Sequence, residues 1–124
     1  MQCDEGIELF GVAGEFSQVV LNLVGNAKDA LVASRQREPR ILMRASRVGD
    51  RVRVDIEDNG GGIDPAHLNK IFEPYFTTKE EGKGSGIGLY MSKMIVENNM
   101  RGSLLAANTP GGVCFTIDLP APVD

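Results

Sequence analysis

Glycine stands at positions 60, 61 and 62 and again at 82, 84, 86 and 88, and side chains able to bind a ligand flank both clusters: Asp58 and Asn59 ahead of the first, Lys83 and Ser85 within the second. Glycine permits positive φ and lets a ligand come close to the peptide plane, at a cost in ordering entropy. In the second cluster the alternating glycines run into an apolar, helix-periodic segment. Successive N–H groups and a helix N-terminus there can face one anion, and phosphate is the natural candidate. A G-x-G-x-x-G would need glycine at 87 or 89, and no G-x-x-x-x-G-K-[ST] occurs, so this is neither a Rossmann nor a Walker loop.

A second constellation lies upstream. Asn22, Asn26 and Asp29 are spaced i, i+4, i+7, which places them within about 60° of arc on a helix, at the half-buried margin of its apolar face. Asparagine is a poor residue for a helix interior, because its short amide competes for backbone hydrogen bonds. The pair either ties the helix to a neighbouring loop or offers neutral oxygen ligands to a Mg²⁺ that takes most of its coordination from phosphates and water.

The elements that must position these residues follow from periodicity. An opening strand is expected over about 5–12. A helix from Glu15 to about Arg37 carries Phe16, Val19, Val20, Leu23, Ala27 and Leu31 on one side. Beyond Pro39, strands at about 40–48 and 51–57 form a hairpin across Gly49-Asp50. In the second of these, Val52, Val54 and Ile56 alternate with charged residues, and by that parity Asp58 faces inward, where it either caps a turn or binds a ligand.

Asp64-Pro65 resembles a helix start leading through Leu68, Ile71 and Phe72. The polar, aperiodic stretch from Phe76 to Gly84 suits a lid that orders on ligand. A second helix is expected from Gly86 to about Asn98, with Ile87, Met91, Met94 and Ile95 broadly on one face and its methionines in the core. Strands over 102–107 and 113–119 close the chain, with Val113, Phe115, Ile117 and Leu119 inward.

With 124 residues, one domain over 1–124 is expected. A 42% apolar and 24% charged composition is ordinary for a soluble protein, and neither a signal peptide nor an apolar run of spanning length occurs. The net charge of −4 argues against a nucleic-acid partner, and the arginines between 35 and 53 read as solvated helix-end and strand positions. Cys3 and Cys114 are isolated thiols that fit a reducing cytoplasm better than a disulfide or zinc site. The single histidine, His67, reads as a surface residue.

Taken together, these segments resemble the ATP-binding catalytic domain of bacterial sensor histidine kinases, within the superfamily shared with Hsp90, MutL and DNA gyrase. Residues 22–27 resemble the N box, 58–62 the G1 box, 72–76 the F box and 84–89 the G2 box, in the family's order. The resemblance implies an α+β, two-layer sandwich of the Bergerat type, with helices on one face of a mixed, mainly antiparallel sheet. It further implies that Asp58 accepts from the adenine exocyclic amine, that Asn26 ligates Mg²⁺ and that Asn22 lies near the metal or phosphates, making the two asparagines the catalytic pair. The resemblance also implies that Asp29, Gly60, Gly62, Ile63, Phe72 and Phe76 belong to the ATP site. It implies the same for Lys79 and Lys83, as lid candidates, and for Gly84, Ser85, Gly86, Ile87, Gly88 and Leu89, with the backbone over 84–88 on the phosphate oxygens.

The ATPase branches usually hold a glutamate at the position of Asn22, and an amide cannot serve as that base, so transfer to a protein acceptor is implied over hydrolysis. The resemblance places the accepting histidine on a separate dimerisation domain that, with any sensor domain, is expected to lie outside this chain. A response regulator receives the phosphoryl group in turn. No nucleic acid and no direct membrane contact are expected for this domain, and a cytoplasmic location is implied, whether or not a parent kinase is membrane-anchored. Alternatives are a nucleotide-dependent interaction module and a serine kinase of the anti-sigma type. Two departures stand out: Asp29, where many sensor kinases have a basic residue, and Met100-Arg101-Gly102, where a Gly-Gly pair is common.

Overall fold

The computed structural model describes residues 2–3, 13–76 and 87–120. The element order is β1 (Gln2–Cys3), α1 (Ala13–Ser34), β2 (Ile41–Val48), β3 (Arg51–Asp58), α2 (Pro65–Leu68), α3 (Gly88–Met94) continued by a π-helical turn at Ile95–Asn99, β4 (Ser103–Asn108) and β5 (Val113–Pro120). The strands form one sheet in the order β1-β2-β3-β5-β4. All its pairings are antiparallel except β1 with β2, where Gln2 and Cys3 lie parallel to Arg44 and Ala45. The strand expected over 5–12 falls outside the described residues.

Register explains why one face of the sheet is the core. Met43 stands opposite Ile56 and Ile56 opposite Phe115; Val54 stands opposite Ile117 and Ile117 opposite Leu104. A single alternating set of apolar side chains therefore continues across four strands, as a period of two requires. Val19 and Leu23 of α1 and Val96 of the π turn complete this cluster, all three fully buried. The opposite face is polar: Arg51 pairs with Asp118 at 2.5 Å, Arg53 with Asp55 at 3.1 Å, and Thr116 donates to Asp55 at 2.7 Å.

α1 begins at Ala13 and ends at Ser34, earlier than the expected Arg37. Arg35 adopts φ +54°, its N–H donates to the Val32 carbonyl and the Gln36 N–H reaches back to the Leu31 carbonyl, the hydrogen-bond pair of a Schellman cap. No glycine marks this end in the sequence, so the stop was not visible there. α2 begins as expected, with the Asp64 side chain accepting from the Ala66 N–H and Pro65 in the first turn.

The second helix needs correction in two respects. Its last turn is π-helical, with the Met100 N–H bonding to the Ile95 carbonyl, and Arg101 leaves it at φ +56°, the left-handed turn a glycine would usually take. The face expected to hold Met91 and Met94 also lies elsewhere. Those two are exposed, whereas Ser92, Val96 and Met100 are buried and Leu89 and Ile95 pack against the core. With Ile87 and Met91 four residues apart, the periodicity alone did not separate the inward stripe from its neighbour.

Candidate nucleotide-binding site

Asp58 ends β3 on the inward side, as its parity predicts, and is 5% exposed. Its Oδ1 accepts the Gly60 N–H at 2.9 Å, and the Val113 N–H also bonds to the carboxylate. Burial raises its pKa above the ordinary aspartate value; the Gly60 and Val113 N–H groups oppose that shift, and nearby Glu57 adds to it. Room for this carboxylate depends on Gly112, where a Cβ would stand 2.0 Å from the Asp58 carbonyl oxygen and 2.9 Å from Oδ1.

The loop that follows is held at three points. Asn59 donates to the Glu38 carbonyl and accepts from the Arg40 N–H, while Gln36 donates to the Asn59 carbonyl, so the α1–β2 connection grips one side. Asn108 accepts from the Ile63 N–H and donates to the Ile63 carbonyl, both at 2.8 Å, and the Gly61 N–H donates to the Gly111 carbonyl, so the β4–β5 turn grips the other. Gly60 lies directly on α1, where a Cβ would be 2.9 Å from the Ala30 carbonyl carbon. Gly62 lies against Asn108.

On α1, Asn22 and Asn26 are half-buried, but Asp29 is exposed, so the stripe is half-buried only in its first two members. The Asn26 amide donates back to the Asn22 carbonyl at 3.1 Å. The Asn22 amide crosses to α3, donating to Ser92 Oγ at 3.1 Å and to the Gly88 carbonyl at 3.5 Å, and its Oδ1 accepts from Gln18 at 3.2 Å. Thus α1 touches the first glycine cluster at Ala30 and the second at Asn22, about 12 Å apart at 1.5 Å per residue.

Phe72 is half-buried, edge-on to Phe115 with centroids 6.3 Å apart, and Lys93 lies 4.9 Å above its ring. His67 is half-buried, not simply a surface residue, and meets Phe76 edge-on at 5.4 Å. Ile63, Phe76 and Leu89 pack against the core, and Ile87 is half-buried. Lys79, Lys83, Gly84, Ser85 and Gly86, with most of the expected lid, lie outside the described residues.

Sequence reasoning did not single out Asn108, Gly112 or Ser92. Asn108 reads as an ordinary turn residue, and Gly112 as half of a turn dipeptide. Only β-sheet register brings that dipeptide beside Asp58. A serine three residues after Leu89 and four before Val96 was a faint signal for Ser92, being polar on the inward stripe.

The sequence profile of the histidine kinase-, DNA gyrase B- and HSP90-like ATPases matches residues 11–123. The chain belongs to this family. It is 47% identical to the two-component sensor PprA of Pseudomonas aeruginosa over 113 residues, covering 89% of this chain and 12% of PprA. The catalytic domain of histidine kinase ThkA superposes with a TM-score of 0.81 at 28% identity, over 97% of this chain and 78% of that one. ThkA in complex with the response regulator TrrA matches with a TM-score of 0.75 at 26% identity, over 98% and 34%. Full-length ShkA in complex with AMPPNP gives 0.72 at 27%, over 90% and 22%.

This ATPase domain is therefore the ATP-binding catalytic domain of the sensor histidine kinase kind, and its fold is the open-sheet α+β architecture of that group. It spans about an eighth of the length of PprA. Among the described residues no helix is long and apolar enough to cross a membrane, and no three His, Cys, Asp or Glu side chains gather as a metal site.

Proposed function

We propose that this domain binds Mg-ATP and donates the γ-phosphoryl group to a histidine on a separate dimerisation domain, from which a response regulator receives it. The observation that carries the reading is Asp58, a buried carboxylate held by two backbone N–H groups at the end of β3. A carboxylate can accept more than two hydrogen bonds, and an exocyclic amine can add one to those from the backbone. The existence of ThkA in complex with a response regulator supports the onward step.

Asn26 would hold Mg²⁺, with Asn22 beside it. The donor chemistry fits: a carboxamide such as that of Asn26 carries a neutral hard oxygen, and a Mg²⁺ with few protein ligands takes the rest from phosphates and water. The metal supplies charge neutralisation on the phosphates when bound. The chain's own residues do the positioning: Asp58 and the loop 60–63 fix the base, and Phe72 and Phe76 wall the site. By the family resemblance, residues 84–88 with Lys79 and Lys83 would supply the phosphate contacts; of these only Ile87 and Gly88 lie within the described residues. Asn22, being an amide, cannot act as a base toward water; in-line geometry and charge carry the catalysis.

Base selection tests the reading. Calorimetry should show ATP binding well and GTP poorly, because guanine presents a carbonyl oxygen where adenine presents an amine. Asp58→Ala should weaken ATP by roughly 1.5–3 kcal/mol, the range for losing a charged hydrogen-bond partner. Unchanged ATP affinity in a variant that still folds removes Asp58 from the adenine site.

A further inference from the structure

Asn22 uses its whole donor capacity on a neighbouring helix. A carboxamide nitrogen has two protons, and the structure gives them two acceptors on α3, Ser92 Oγ at 3.1 Å and the Gly88 carbonyl at 3.5 Å. The Gly88 carbonyl can only accept, so it fixes which end of the amide faces α3. Gln18, donating to Oδ1 from one turn earlier, agrees with that orientation. Ser92 is fully buried, the one described serine that is, and it sits where the inward stripe of α3 otherwise carries Val96 and Met100. A buried hydroxyl is retained against apolar packing when it has a specific partner, and here that partner is Asn22.

From this geometry we propose that Ser92 is a positioning residue: with the Gly88 carbonyl it holds the Asn22 amide nitrogen on α3 and leaves Asn22 only its oxygen for a ligand. Asn22 then cannot donate to a phosphate oxygen. Its oxygen would serve the metal, or a water on the metal, as a neutral acceptor. The companion bond to the Gly88 carbonyl ties α1 to the first residue of α3, the last glycine of the second cluster. In this role Ser92 acts only through Asn22. The inference rests on the proposed metal-side placement of Asn22.

The test is calorimetry of ADP binding with saturating Mg²⁺ and with EDTA, on the wild-type domain, Ser92→Ala, Ser92→Thr, Asn22→Ala and the Ser92→Ala/Asn22→Ala pair. Thermal melts identify folded variants. Ser92→Ala should lower the Mg²⁺-dependent gain in affinity about threefold to tenfold, the effect of one neutral hydrogen bond, and leave affinity in EDTA within about twofold. Ser92→Thr, which keeps the hydroxyl, should restore the gain, and the double variant should be no worse than Asn22→Ala. A second reading is the side-chain amide pair of Asn22 in ¹⁵N–¹H spectra, which should shift in Ser92→Ala without nucleotide present. If Asn22→Ala loses the gain and Ser92→Ala keeps it, or if the two losses multiply, the positioning role is overturned while the function stands. If Asn22→Ala keeps the full gain, the metal-side placement of Asn22 fails and the role of Ser92 fails with it.

Discussion

Asp58 carries two opposed demands. Its folded pKa is raised, so the empty domain is favoured by protonation: this group's contribution to stability is fully present below the unfolded aspartate value and is lost as pH rises through the folded pKa. In the proposed role ATP reverses the preference, because an amine N–H bonds more strongly to an ionised carboxylate than to a neutral carboxyl group. Affinity for ATP should therefore fall with acidification at a pH above the ordinary aspartate range, and the fall should be absent in Asp58→Asn, where phosphate titration remains as the shared background. Matching pH profiles for the two proteins would exclude Asp58 as the titrating acceptor. For the metal, Asn26→Ala should abolish most of the Mg²⁺ dependence of ATP binding while leaving much of the metal-free affinity, with Asn22→Ala milder. Equal Mg²⁺ enhancement in wild type and Asn26→Ala would leave the asparagines as structural. Asp58 and the two asparagines were legible in sequence because a strand's parity and a helix's stripe each fix a side. Ser92 and Asn108 were not, since each owes its place to a partner about 70 or 45 residues away.

At the scale of elements, α1 is a strut. Its inward stripe anchors it to the sheet through Val19 and Leu23, and its upper margin meets the glycine clusters at Asn22 and Ala30. The strands and the core face of α1 follow from simple periods of two and 3.6 and could be read directly. Helix ends could not: α1 stops at Arg35 and the π turn at Arg101, both non-glycine residues in the left-handed region. Left-handed backbone costs a residue with a Cβ more than it costs glycine. Arg35→Gly and Arg101→Gly should therefore each stabilise the domain by about 0.5–1 kcal/mol, after allowing for the added freedom of glycine in the unfolded chain. Denaturant melts give the answer, and a loss of stability in both would mean that the arginine side chains matter more than the backbone they strain. The inward stripe of α3 was misread for a related reason. Its methionines are as apolar as its core residues, and only contact with α1 decides which face turns in.

For the molecule as a whole, the account is that nucleotide chemistry is assembled here and completed elsewhere. In the proposed roles every group described at the site binds, orients or neutralises; Asn22 is an amide, and His67 packs edge-on against Phe76. The isolated domain should bind ATP without labelling itself. The most direct measurement is incubation with γ-labelled ATP and Mg²⁺, first of the domain alone and then with a histidine-bearing dimerisation domain from a sensor kinase that contains it. The account predicts unlabelled protein in the first case and acid-labile label on the added partner in the second. Acid-labile label on this chain alone, lost in His67→Ala, would contradict it.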